Sequence, residues 1–243
     1  RKSLQDAVEF TVKCQNETGG WRYVPFTIES DMSVTVCQVV ALRAARNVGI
    51  RVPQATIDRA LGYVIGSAIT EDGMLGEERG AFYYQPATTR YNRSSFALTA
   101  AGLTTLFQAG LYDDASLHYF VEKNRIPKSP PPNIRDCVTF MNRHYENVRR
   151  DYPRHYFYYY GNYYAAQAMY NVGGAAPKVW EAWYDKVRDD LLALQVRGRS
   201  PGDPPVEESW WVSNVGPSTN TFATAVALLI LSMPFDYLPS HHR

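Results

Sequence analysis

The 243 residues are 45% apolar and 20% charged, with 25 Lys and Arg against 24 Asp and Glu. That is enough apolar matter for one large core and too much for a disordered tail, and the balance of charge provides neither a basic excess for a nucleic-acid backbone nor an acidic solvating tail. No apolar run reaches the roughly 18 residues of a membrane span, and Arg1 opens straight into helical periodicity without a signal-peptide pattern, so the expectation is a soluble chain with a trimmed start, no transmembrane segment and no nucleic-acid partner.

In chain order, segments with one apolar stripe alternate with segments apolar around most of their circumference. Leu4, Ala7, Val8, Thr11 and Val12 form a stripe ahead of the apolar stretch Met32 to Val48. Ile57, Ala60, Leu61, Val64 and Ala68 precede Phe96 to Ala109. Ile134, Cys137, Val138, Met141, Tyr145 and Val148 precede Tyr158 to Val172, and Trp180, Trp183, Tyr184, Val187, Leu191 and Leu194 precede Thr221 to Met233. The spacing predicts four outer amphipathic helices, each followed by an inner helix buried on most sides. The stretch 114–132 breaks the regularity. It carries a short helical pattern at Leu117, Phe120 and Val121, then Pro127 and Pro130 to Pro132, and reads as a Pro-rich insertion or stiff linker. Gly198 to Glu208, with Pro201, Gly202, Pro204 and Pro205, reads as a surface excursion or a lid.

Pro53, Pro132 and Pro177 precede or open three outer helices, while Gly49, Gly110 and Gly173 are expected to close three inner ones. Those glycines are 61 and 63 residues apart and Pro234 follows after another 61, so the chain repeats with a period near 62. The inner helices keep little polar surface, which favours an array closed or nearly closed around a narrow centre over an open solenoid. The expected fold is all-α: an α/α toroid of about four helical hairpins, incomplete or open, in a single domain over 1–243. The three cysteines, Cys14, Cys37 and Cys137, lie far apart with no C-x-x-C pair, and are expected to be thiols filling apolar space.

Gln15-Asn-Glu-Thr-Gly-Gly-Trp21 resembles the Q-x3-G-x-W motif of squalene and hopene cyclases, and Asp72-Gly-Met-Leu75 resembles the D-G-x-W/F loop of the same repeats. Ser30 to Asn47, Ser94 to Gln108 and Asn220 to Leu231 resemble the inner barrel helices of the terpenoid cyclase and protein prenyltransferase superfamily. The stretch Phe222 to Arg243 resembles the ends of bacterial prenyltransferase and squalene-oxidase repeat proteins. The resemblance covers nearly the whole chain outside the insertion and implies an α/α toroid whose loops tie adjacent hairpins together. The residues themselves give Gln15, Gly20 and Trp21 structural roles. Gly19 and Gly20 permit a tight turn, Trp21 is a large plug, and Gln15 can satisfy backbone groups at a helix end.

The chemistry of that superfamily is not matched motif for motif. There is no D-x-D-D run for protonating an olefin and no D-D-x-x-D run for magnesium and diphosphate; Asp113-Asp114 and Asp189-Asp190 lack the required partners. Cys137 and His144 share a helix face but stand roughly 10 Å apart along it, too far for one zinc ion. A tertiary site joining one of them to His118 or His155 remains an alternative; the expectation is no metal and no cofactor. Zincin helices and phosphate loops are absent from the sequence. Three weak catalytic candidates remain. Asp31 fits a helix cap, as does Ser30, or an acid facing a cavity with Asp72 or His155.

The chain holds 18 tyrosines, and the densest run is His155-Tyr-Phe-Tyr-Tyr-Tyr-Gly-Asn-Tyr-Tyr164. Tyr158, Tyr159, Tyr160, Tyr163 and Tyr164 on an inner helix would line an apolar pocket or pack against neighbouring hairpins. Arginines from Arg149 to Arg154 could attract an anionic headgroup if they rim its mouth. The leading expectation is therefore a cyclase- or prenyltransferase-like toroid binding a hydrophobic, isoprenoid-type small molecule in an aromatic centre. The alternatives are a non-enzymatic scaffold for a protein partner and a divergent terpene cyclase or prenyltransferase.

Overall fold

The computed structural model describes residues 1–73, 78–86, 93–216 and 219–235. Its helices are α1 (Lys2–Lys13), α2 (Met32–Asn47), α3 (Gln54–Gly66), α4 (Phe96–Gln108), α5 (Asp114–Lys123), α6 (Ile134–Asp151), α7 (Tyr156–Ala175), α8 (Pro177–Leu194) and α9 (Asn220–Ser232). Every helix expected from periodicity forms, including the short one inside the Pro-rich stretch, so the protein is predominantly helical. Strands β1 (Gln195–Arg199) and β2 (Glu207–Trp211) pair antiparallel with Gln195 opposite Trp211. This hairpin corrects a purely α-helical reading. Five-residue strands around a Pro-rich tip carry too little alternation to stand out, and the ladder is helped by Trp210 lying over Gly198, where a Cβ would come within 2.9 Å of the indole.

By its contacts the chain divides into two compact units, Arg1–Met141 and Asn142–Arg243. Each follows the same local plan. In the first, α2 packs on α4 and the intervening α3 touches both, with α1 against α2. In the second, α7 packs on α9 and the intervening α8 touches both. The apolar helices thus lie side by side within each unit, bridged by an amphipathic one.

Caps define the ends. Asp31 and Ser95 accept hydrogen bonds from the backbone N–H three residues on, at 2.9 and 3.2 Å, fixing where α2 and α4 begin. Pro177 occupies the first turn of α8, where its missing N–H costs nothing. Gly49 and Gly110 follow α2 and α4 with φ of +76° and +91°, the left-handed turn that ends a helix. Gly173 does not do this: α7 continues through it to Ala175, and Pro177 forces the break instead.

Burial of the apolar helices is uneven. α4 is buried almost throughout, whereas α2 exposes Cys37, Ala41 and Ala44, and α9 exposes Phe222 and Leu228. Apolar composition permits burial but only a packed neighbour causes it, so the expectation of four helices enclosed on most sides is too strong for α2 and α9. The same holds for the thiols: Cys137 is buried and burial pushes it up to about 12, but Cys14 is half-buried and Cys37 exposed.

Candidate functional site

In the first unit the loop after α1 is closed by its own side chains. Gly19 adopts φ +92° and passes so near α3 that a Cβ would sit 2.2 Å from the Arg59 carbonyl oxygen; one on Gly20 would lie 2.6 Å from Ser30 Cβ. The Gln15 amide donates to the carbonyls of Gly19 and Thr56, both at 2.8 Å, and its oxygen accepts from the Arg59 guanidinium. Trp21, 3% exposed, donates its indole N–H to the Thr11 carbonyl at 2.8 Å, and its backbone N–H to Thr35 Oγ1 at 3.1 Å. One seven-residue segment therefore ties together α1, α2 and α3.

Next to this staple lies a polar cluster around Asp31 and Arg22. Asp31, fully buried, accepts from Val34 N–H, from the Ser33 hydroxyl at 2.6 Å, and from Arg22 Nη1 at 2.8 Å. Arg22 also donates to the Tyr84 hydroxyl and stacks its guanidinium 5.3 Å from the Tyr23 ring centroid. Burial raises the Tyr84 hydroxyl and pushes that of Tyr63 up to about 12. Asp31 acts here as a cap and an ion-pair acceptor. Asp72 is used differently: its Oδ1 accepts the Arg79 N–H at 2.9 Å, closing a loop, and no described hydrogen bond joins it to Asp31. Met74 and Leu75 of the Asp72–Leu75 motif lie outside the described residues.

The aromatic run belongs to the second unit. His155 is the N-cap of α7, its Nδ1 accepting the Phe157 N–H at 3.0 Å. Tyr158 and Tyr159 are completely buried. The Tyr159 hydroxyl donates to the Val212 carbonyl at 3.1 Å, whereas the buried Tyr158 hydroxyl has no hydrogen-bond partner among the described residues. Tyr145 donates to Asp190 at 2.6 Å, and Asp190 takes the Arg149 guanidinium at 2.6 Å on its other oxygen. This chain joins α6 and α8, and burial first, then its neighbours, raises the Tyr145 hydroxyl far above its ordinary value. Arg149 also meets Glu146, and Arg150 pairs with Asp151, so these guanidinium groups are neutralised locally rather than left to attract a distant anion.

The other rings of the run form a continuous aromatic ladder. His155 and Tyr156 each lie 4.8 Å from Phe157, Tyr156 lies 5.9 Å from Tyr160 and 6.1 Å from Phe222 of α9, and Tyr160 lies 5.0 Å from Tyr164, which meets Tyr163 at 5.1 Å. Phe157 is 43% exposed and Phe222 38%, and Tyr156, Tyr160 and Tyr163 are half-buried. Of the five tyrosines expected to face a ligand, Tyr158, Tyr159 and Tyr164 are enclosed by protein; Tyr160 and Tyr163 keep accessible surface. Tyr156, Phe157 and Phe222 join them, a set missed because helical phase alone does not place a neighbouring helix.

A second staple was also hidden. Trp211, 2% exposed, donates its indole N–H to the Leu191 carbonyl of α8 at 2.7 Å and its backbone N–H to Thr224 Oγ1 of α9 at 3.0 Å. Trp21 makes the same two bonds to α1 and α2. The usable signal was a Trp followed 13 or 14 positions later by a Thr inside an apolar helix. Among the described residues no three His, Cys, Asp or Glu side chains gather as a metal site would require, and no helix is long and apolar enough to cross a membrane. A scan against family models finds no match for the chain, and a search of curated proteins returns no significant relative.

Proposed function

We propose that the protein is a helical toroid of the squalene-cyclase and prenyltransferase type that binds an apolar, isoprenoid-like small molecule against the aromatic ladder of α7 and α9. Catalysis is not part of this reading. The observation that carries it is the ladder from His155 to Tyr164 with Phe222: its accessible rings meet at tilted angles with centroids 4.8 to 6.1 Å apart. Partly exposed aromatic surface of this extent suits a flat or chain-like apolar ligand. The recurrence of one staple, Trp21 and Trp211, each joining an amphipathic helix to the apolar helix that follows, supports the repeat architecture on which the toroid reading rests.

Native mass spectrometry of the protein purified from its own host tests the reading. The expected result is a retained lipid adduct that Phe157→Ser/Tyr160→Ser loses; ligand-free protein that also fails to bind farnesol in a fluorescence titration overturns it. A protein-binding scaffold is favoured by a different observation. Tyr23, Val24, Phe26 and Ile28 lie 69, 62, 68 and 90% exposed in one loop of the first unit. That reading expects no adduct and a stoichiometric protein complex that Phe26→Ser/Ile28→Ser breaks.

A further inference from the structure

The second unit contains a cleft away from the aromatic ladder, on the outer side of α8. This open cleft has a volume of about 350 Å³ and is lined by Asn142 of α6 and by Lys178, Val179, Ala182, Trp183 and Lys186 of α8. Lys178, Ala182 and Lys186 are spaced by four residues, so the two lysines stand one turn either side of a methyl group on nearly the same helix face. Their Cα atoms are about 12 Å apart at 1.5 Å rise per residue, a span that two four-carbon side chains can close from both ends. Neither ammonium takes part in an ion pair among the described residues; the nearby Asp185 and Asp189 are both engaged by Arg188.

Trp183 supplies the second observation. It is 2% exposed, it lines the cleft, and its indole N–H has no hydrogen-bond acceptor among the described residues. Trp21 and Trp211 each place the same group on a helix carbonyl. A buried donor without a partner loses its hydration with nothing in return, so such a group calls for explanation. The lining side chains offer two ammonium groups and an amide, and no carboxylate, and the unpartnered indole N–H is buried. Their apolar part is the indole face with Val179 and Ala182.

We propose that this cleft binds a small phosphate monoester, the phosphate held between Lys178 and Lys186 and its organic part against Trp183. Two compact ammonium charges match a tetrahedral group carrying nearly two negative charges, whereas a planar carboxylate is better matched by a guanidinium fork. The apolar wall gives an ester an advantage over the inorganic ion.

Isothermal titration of the full chain with phenyl phosphate tests the proposal. Saturable binding that weakens with added salt is expected, with at least ten-fold loss in Lys178→Gln/Lys186→Gln and no change in Lys2→Gln. Both lysines are exposed, so the double variant should keep the wild-type melting temperature. The Trp183 indole N–H resonance should move on addition of phenyl phosphate, and Trp183→Phe, which keeps a ring and deletes the donor, should bind several-fold more weakly. No saturable binding, or unchanged binding in the folded double-lysine variant, overturns the site. Equal affinity for inorganic phosphate overturns the assignment of an ester, and tighter binding of benzoate than of phenyl phosphate overturns the choice of phosphate.

Discussion

The connections α1–α2 and α8–α9 solve one problem in two ways. Trp21 follows Gln15 by six positions and Trp211 follows Gln195 by sixteen, the additional length being taken up by the β1–β2 hairpin. Both tryptophans nevertheless reach the same end state, with an indole N–H on a carbonyl of the helix behind and a backbone N–H on a threonine of the helix ahead. The glutamines do not. Gln15 bridges Gly19, Thr56 and Arg59, whereas among the described residues the Gln195 oxygen meets only the Arg197 guanidinium, 3.2 Å away at the surface. The tryptophan plug is thus the part that packing requires, and the glutamine belongs to the tight form of the turn.

The largest effects should come from the plugs. Trp21→Ala and Trp211→Ala should each lower stability by about 3–5 kcal/mol in denaturant titration, since each opens a cavity and removes a buried hydrogen bond. Values that differ by more than two-fold between the two would break the equivalence of the connections, and a loss under about 1 kcal/mol for either would remove it from the role of a plug.

Alkali probes the buried hydroxyls and the thiol. Burial pushes Tyr63, Tyr159 and Cys137 up to about 12 from ordinary values of 10, 10 and 9. The folded state therefore holds these protons more tightly than the unfolded chain. The stability they contribute is complete below their ordinary values and drains away as the pH rises from about 9 towards 12. The melting temperature should fall steeply across that window, less steeply in Tyr159→Phe, and a flat profile would mean that these groups are hydrated in the native state.

The glutamines sharpen the contrast at smaller scale. Gln15→Ala leaves two buried carbonyls and Arg59 short of a partner and should cost about 1–3 kcal/mol, while Gln195→Ala should stay within about 0.5 kcal/mol. Equal costs would mean that the glutamine is as necessary to the long connection as to the short one.

Periodicity made the helices legible because a 3.6-residue stripe is a local property, and α1, α3, α6 and α8 carry it plainly. The Gln15–Trp21 staple was legible for a similar reason, since its glycines, amide and indole fall within one short segment. Trp211 was not, because the hairpin separates it from Gln195 and only its tertiary bonds to Leu191 and Thr224 reveal the correspondence. The aromatic run was visible as composition, but its division into enclosed and accessible rings depends on where α6, α8 and α9 lie. Tyr158 is completely enclosed, whereas Phe157, one residue away, keeps 43% of its surface in solvent.

The smallest effect separates the structural from the ligand-facing part of that run. His155 caps α7 through an unprotonated Nδ1 that accepts the Phe157 N–H, an acceptor role that asparagine fills in the same position and alanine does not. His155→Ala should therefore cost about 1 kcal/mol, with His155→Asn recovering most of it. Because the histidine ring also contacts Phe157 at 4.8 Å, the two substitutions should differ in stability yet weaken retention of an apolar ligand alike. If His155→Asn restores both, the residue serves the helix alone and the ladder begins at Tyr156.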